Sequence, residues 1–417
     1  MISTNFYSTA VEKDYQMFTF IENGTITDVQ GFQAAGIHSG IKKVKKDLAL
    51  IYSETPCNAA GTFTLNKVKA APLLLSQSMI AKGGKIKAVL VNSGNANACT
   101  GEPGFQDALD SQIKLAAVLG IQPNEILVSS TGVIGQRMPM EKLLGGIEKI
   151  KDHLSPEGGH DASVAIMTTD TKPKTFAVKV ETSRGEITIG GICKGSGMIM
   201  PNMATMLGFI GTDAEIDNEL LQILLRKAVN KSFNKITVDG DTSTNDMVVL
   251  LANGLSKISI LDNTTDFEIF FEALTKICQE MAKSIVVDGE GATKLVEVTV
   301  INALSEDDAA LIGKTISNSP LVKTAIHGQD ANWGRIISAV GNSGAEIDPA
   351  KISIYLDDSP VLLQNYNIVL NEKDALAVLK KTEFKILVDL GIGSSSATWW
   401  TCDLSADYIR INADYRS

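Results

Sequence analysis

Short apolar runs and amphipathic stretches alternate along the whole chain. Asp47–Ser53 (DLALIYS) and Ile86–Val91 (IKAVLV) are the right length and composition for buried strands. Between them, positions 68–80 repeat apolar residues at helical spacing. Pro72 must then fall in the first turn, where a missing N–H costs nothing. Asn92–Gly101 (NSGNANACTG) reads as a turn-rich loop, followed by a helix over Gln106–Leu119 that Gly120 closes. Glu125–Ser130 predicts a strand running straight into Thr131-Gly132-Val133-Ile134-Gly135. Lys174–Glu181 and Glu186–Gly190 predict a hairpin around Ser183-Arg184-Gly185. Asn218–Lys231 is an amphipathic helix with Asp217 as N-cap, and Phe267–Ser284 is another. Val296–Ile301 and Glu383–Asp389 predict further strands, and 155–159 and 263–266 read as loops. Hairpins mixed with crossovers predict a mixed α/β (α+β) fold and not a pure doubly wound sheet. No internal repeat or low-complexity linker interrupts the pattern.

Composition narrows the class. The chain has 417 residues, 44% hydrophobic and 21% charged, the profile of a soluble globular protein with a sizeable core. Its net charge of −10 argues against a nucleic-acid surface. The start of the chain is polar and carries Glu12 and Asp14, unlike a secretory signal, and apolar runs such as Met247–Ala252 are too short for a bilayer. Cys57, Cys99, Cys193, Cys278 and Cys402 are scattered without CxxC spacing, which predicts free buried thiols, no metal site and a cytoplasmic location.

Several stretches imitate familiar signatures and fail. Gly313-Lys314-Thr315 would need a glycine at position 308, which is Asp308, to end a phosphate-binding loop. Gly391-Ile392-Gly393 lacks the third glycine of a dinucleotide fingerprint. Asp239–Asp246 (DGDTSTND) is rich in oxygen ligands, but a calcium loop would need glycine at Thr244 and glutamate at Leu250. Turn formation and capping of the next strand is the reading there. No GxSxG elbow occurs. His153 and His160 fall in a polar loop, and His38 and His327 read as structural. Any nucleophile must therefore work without a histidine beside it.

Small polar residues next to glycine mark the candidate chemistry. Ser129-Ser130-Thr131-Gly132 could aim a hydroxyl and a backbone N–H at one point, as an oxyanion hole requires. Met167–Thr171 and Asp288–Lys294 are polar loops, the second placing Glu290 between two glycines. In KGSGMIMPNMATMLGFIGTD, from Lys194 to Asp213, Thr205 interrupts an apolar run. A threonine with a free α-amine carries its own general base, of pKa about 7.7–8.0. An internal threonine gains that amine by attacking the preceding carbonyl, and the small Ala204 precedes this one.

These stretches together resemble the ornithine acetyltransferase family, the bifunctional glutamate N-acetyltransferase/amino-acid acetyltransferases of arginine biosynthesis. The resemblance runs through NSGNANACTG, SSTGVIG (129–135), AIMTTDT (165–171), KGSGMIMPNMATMLGFIGTDA, DGDTSTND, DGEGATK (288–294) and the terminal INADYRS. It implies a two-lobed fold with an N-terminal-nucleophile-like site and self-cleavage between Ala204 and Thr205. The products would be an α chain of 1–204 and a β chain of 205–417, usually joined as an α2β2 heterotetramer. It implies acetyl transfer from N-acetylornithine to glutamate through acetyl-Thr205, with no cofactor. Thr131 and Gly132 match the oxyanion-hole pair, and Thr168, Lys194, Thr205, Glu290, Asn412 and Ser417 match the substrate-contacting positions. Ser417 departs from the more usual threonine but keeps the hydroxyl. Acetyl-CoA as a second donor is left open. A self-processed aminopeptidase or amidase, with water as acceptor, is the rival enzyme, and a binding protein in which Thr205 is only a core residue is the third reading.

Overall fold

The strand Leu48–Phe63, 16 residues long, organises the first half of the computed structural model, which describes residues 17–200 and 206–414. Its opening part pairs antiparallel with Phe32–Ile37 on one side and Ile86–Asn95 on the other. After a register shift between Tyr52 and Cys57, its closing part pairs antiparallel with Met247–Ala252. Ile126–Val133 adds a parallel strand beyond Ile86–Asn95. On the far side of Met247–Ala252 come Leu207–Thr212, then the hairpin of Gly185–Lys194 and Lys174–Thr182, and finally Phe18–Ile21. Among the described residues this makes a nine-stranded sheet.

A second sheet, seven-stranded among the described residues, holds the C-terminal part. Leu295–Ala303 lies at its heart, parallel to Glu383–Asp389 and antiparallel to Ser395–Cys402. Its core gathers Val298, Ile312, Ile354 and Ile386, separate from the cores on the first sheet. The expected mixed α/β, two-lobed architecture is what the chain adopts. Position 204/205, however, does not divide the lobes, because Leu207–Thr212 and Met247–Ala252 sit inside the first sheet.

Helices form where the sequence supplies both a cap and a face. Asn218–Asn230 is capped by Asp217, whose carboxylate accepts from the Leu220 N–H at 2.9 Å. Leu221, Leu224 and Leu225 recur on its inner face and pack with Phe270 and Ile277 of the helix Thr265–Val287. Emptying one such site, as in Leu224→Ala, typically costs about 2–5 kcal/mol. Pro72 lies in the first turn of Ala71–Ala81, and Gly120 ends Gly101–Leu119 with φ +71.

Five details differ from the sequence reading. The strand expected to stop at Ser53 continues to Phe63. The strand expected to stop at Val91 continues through Asn95, because its polar side chains are satisfied internally: Asn92 donates to the Asn95 carbonyl and Ser93 to that of Ala165. The second helix begins at Gly101, five residues early. His153 closes a short 3-10 turn and His160 lies in the first turn of Gly159–Ala165, so neither is in a loop. Cys99 is exposed, at a left-handed φ of +58, while the other four thiols are buried.

Candidate functional site

Strand ends of the first sheet meet the loops 167–171, 239–246 and 288–294 around a cavity of about 270 Å³. Thr131, Gly132, Thr168, Lys194, Glu290 and Asn412 all line it, so residues far apart in sequence share one wall. Thr205, Ala204 and Ser417 lie outside the described residues. Met206, which follows Thr205 in the chain, also lines the cavity.

Gly132 explains why the strand Ile126–Val133 ends as it does. Its φ is +132, and an added Cβ would meet the Gly94 carbonyl carbon at 2.4 Å. Only glycine tolerates both conditions. Here the parallel register with Ile86–Asn95 slips, so the backbone turns beside Thr131 instead of continuing the ladder. Asn245 locks that turn by donating to the Ser130 and Ala96 carbonyls at 2.8 and 2.7 Å.

Lys194 ends its strand as a buried cation facing the cavity, 7% exposed. Its Nζ donates to Thr168 Oγ1 at 2.9 Å and lies 3.9 Å from Asp170. Asp170 is the hub behind both. It accepts from the Thr168 and Gly195 N–H groups at 3.0 and 2.6 Å and from Lys174 Nζ at 2.8 Å. Burial alone would raise its carboxyl, but the ammonium groups of Lys194 and Lys174 outweigh burial and hold it well below the usual carboxylate range. Lys174 also donates to Asp288 at 2.6 Å. Burial opposes its charge, yet the two carboxylates keep its ammonium above the ordinary lysine value.

Asp288 passes the connection to Glu290. It receives the Thr171 N–H at 3.0 Å, while Ser196 donates its hydroxyl to the Asp288 carbonyl and accepts the Glu290 N–H at 3.0 Å on its own carbonyl. Glu290 is buried, with Oε2 accepting from Asn412 Nδ2 at 2.8 Å. Its carboxyl packs against Gly197, where any Cβ would come within 2.4 Å. The turn glutamate of the sequence is therefore built into the wall.

The aspartate-rich stretch 239–246 does two things: Asp239 holds a turn, and Ser243–Asp246 line the cavity. Asp239 accepts from the Met198 and Ile199 N–H groups at 2.6 and 2.8 Å. Among the described residues, no group of three or more His, Cys, Asp or Glu side chains is placed to hold a metal ion. His38 bonds the Lys45 carbonyl and His327 bonds Asp403, and neither lines the cavity. Sequence reasoning missed Lys174, Asn245 and Asp246. The first sits in a strand and the other two in a turn motif, and only tertiary burial reveals them.

The sequence model of the ArgJ family matches residues 33–417. This chain belongs to the ArgJ family. It is 50% identical over 402 residues to the arginine biosynthesis bifunctional protein ArgJ of Caldanaerobacter subterraneus, covering 95% of this chain and 100% of that protein. The bifunctional ArgJ of Streptococcus mutans is 49% identical over 399 residues, with the same coverage. Among solved structures, ornithine acetyltransferase from Mycobacterium tuberculosis, complexed with ornithine, is 41% identical with a TM-score of 0.43, covering 45% of this chain and 100% of that one. The ArgJ assignment makes this chain an enzyme of arginine biosynthesis, as its motifs imply, and the aminopeptidase and binding-protein readings are set aside. No helix among the described residues is long and apolar enough to cross a membrane.

Proposed function

We propose that the chain cleaves itself between Ala204 and Thr205 and then moves the acetyl group of N-acetylornithine to glutamate through an acetyl-Thr205 intermediate. The observation behind this reading is the pairing of opposite charges in one cavity. Lys194 offers a cation, and Glu290 an anion, to the same bound molecule. An N-acylated diamino acid presents the matching groups, an α-carboxylate for Lys194 and Thr168 and a side-chain ammonium for Glu290 and Asn412. Thr131 and Gly132 stand at the turn where a hydroxyl and an N–H would stabilise the developing oxyanion.

The freed α-amine of Thr205 takes the hydroxyl proton as Oγ attacks the acetyl carbonyl, and ornithine leaves with that proton. The glutamate amine then attacks the acetyl ester and regenerates Thr205. This chemistry calls on no metal or cofactor, and acetyl-CoA would enter only as an alternative donor. Residues 1–204 and 205–417 form the α and β chains of a cytoplasmic α2β2 assembly, with Ser417 assigned to the substrate-contacting residues.

Intact-mass analysis and a transfer assay test the proposal together. The wild type is expected as two fragments that exchange acetyl between N-acetylornithine and glutamate, and Thr205→Ala as one uncut, inactive species of 44.5 kDa. Retained transfer by Thr205→Ala would refute the assigned role. Acetyl release to water without glutamate would mark a hydrolase instead.

A further inference from the structure

Asp246 is a buried carboxyl, 2% exposed, in the wall of the cavity. Among the described residues its Oδ2 has no hydrogen-bond partner. Leaving a buried polar atom unpaired costs about 1–3 kcal/mol, so its retention calls for a reason. The next residue, Met247, donates its N–H to the Met206 carbonyl at 2.9 Å and pairs in parallel with Leu207. The carboxyl is thus anchored at the level of Met206, the residue directly after Thr205 in the chain.

Self-cleavage raises a chemical problem that the transfer reaction does not. Before the cut, the nitrogen of residue 205 is an amide whose lone pair is delocalised, and it takes no proton from the hydroxyl. The base that serves the mature nucleophile does not yet exist. Lys194 is an ammonium donating to Thr168, and the Oε2 of Glu290 is occupied by Asn412. The third titratable group lining the cavity is Asp246, and it is the one whose strand register sets it beside Met206.

We infer that Asp246 is the acid and base of the self-cleavage step, a reading that rests on the proposed cut before Thr205. The Asp246 carboxylate takes the Thr205 hydroxyl proton as Oγ bonds to the Ala204 carbonyl carbon. The same proton passes to the Thr205 nitrogen as the C–N bond breaks, leaving an ester between Ala204 and Thr205 Oγ. Water then splits the ester into the Ala204 carboxylate and a free Thr205 hydroxyl. From that point the new amine is the base, and Asp246 is no longer required for proton transfer.

The surroundings suit a carboxyl that exchanges protons. Burial pushes it well above the usual carboxylate range, against a Ser243 hydrogen bond, the ammonium of Lys194 and a Thr64 hydrogen bond. Lys194, at the end of its strand, is the charged group facing it, while Thr64 and Ser243 are neutral. The ionised fraction, and with it the cleavage rate, rises with pH.

The test is cell-free synthesis of the full chain, with the cut timed by intact mass at about pH 6.5 and about pH 8.5. Asp246→Asn is expected to cut at least about tenfold more slowly than wild type at both. Ser243→Ala, which removes a hydroxyl that favours the anion and also the acceptor of the Asn245 N–H, is expected to lag several-fold at the lower pH and less at the higher. A folded Asp246→Asn that cuts at the wild-type rate overturns the inference. If Asp246→Asn does not fold, Ser243→Ala decides: a lag that shrinks as pH rises supports the role, and keeping pace or lagging equally at both overturns it. A wild type that stays whole refutes the cut itself, which separates that failure from failure of the Asp246 role.

Discussion

Replacing Lys174 with methionine removes the one cation shared by Asp170 and Asp288, whose carboxylates it contacts at 2.8 and 2.6 Å. Breaking a buried pair by deleting one partner costs about 3–5 kcal/mol. The remaining donors, the Thr168 and Gly195 N–H groups on Asp170 and that of Thr171 on Asp288, keep the loss toward the lower end. For a chain of this length that corresponds to a melting temperature lower by about 3–6 °C, if the chain unfolds as one unit. The folded lysine is held above its unfolded value, so its contribution is complete below the unfolded value and disappears only as pH rises through the folded one. Asp170 is held below its unfolded value, so its contribution is complete above the unfolded value and disappears as pH falls through the folded one. The deficit should therefore be constant from about pH 5 to about pH 9. Function should suffer in a particular way. With Lys174 gone, Lys194, already 3.9 Å from Asp170, becomes its nearest cation and is drawn away from Thr168. KM for N-acetylornithine should rise about tenfold, with kcat less affected. Melting curves across pH and steady-state kinetics check both. A melting temperature within about 1 °C of wild type, or a loss confined to kcat, would refute the reasoning.

Two further outcomes follow from the cavity wall. Glu290→Gln keeps the hydrogen-bond geometry but loses the anion, so KM for N-acetylornithine should rise about tenfold while KM for glutamate, which has no side-chain ammonium, changes little. Unequal effects on the two substrates in paired kinetics are the diagnostic. Gly132→Ala forces a Cβ into the Gly94 backbone at 2.4 Å and disturbs the turn, so transfer should fall about 100-fold or more in kcat, measured on protein whose fold is verified by circular dichroism.

The sequence showed local structure wherever one residue type has one physical use. Asp217 as a cap, Pro72 in a first turn and Gly120 at a helix end appear where expected, because each acts on its neighbours in the chain. Strand extent was less legible. Glu54-Thr55-Pro56 looks like a break after Ser53, yet pairing with Met247–Ala252 carries the strand on to Phe63, and that partner lies nearly 200 residues away. Asn92–Asn95 has the composition of a turn and becomes strand because its side chains find partners from Ala165 and Ser130. At the site, motifs picked out Thr131, Gly132, Thr168, Lys194, Glu290 and Asn412, which line the cavity, while Asn245 and Asp246 passed for turn residues. Lys174 was missed, because a lysine in an alternating strand looks solvent-facing until two buried carboxylates are brought against it.

The place of Leu207–Thr212 within the first sheet, between Gly185–Lys194 and Met247–Ala252, limits what cells could do with the protein once it is cut as proposed. The fragments on either side of Ala204 share one hydrogen-bonded ladder, since Met247–Ala252 in turn pairs with Leu48–Phe63. Separating them means tearing a sheet through its middle, which is unfolding and not dissociation. Halves from differently mutated copies would therefore not exchange after synthesis. Each cut molecule would keep for life the partner it was translated with, and a defect in either half would be inherited by that molecule alone.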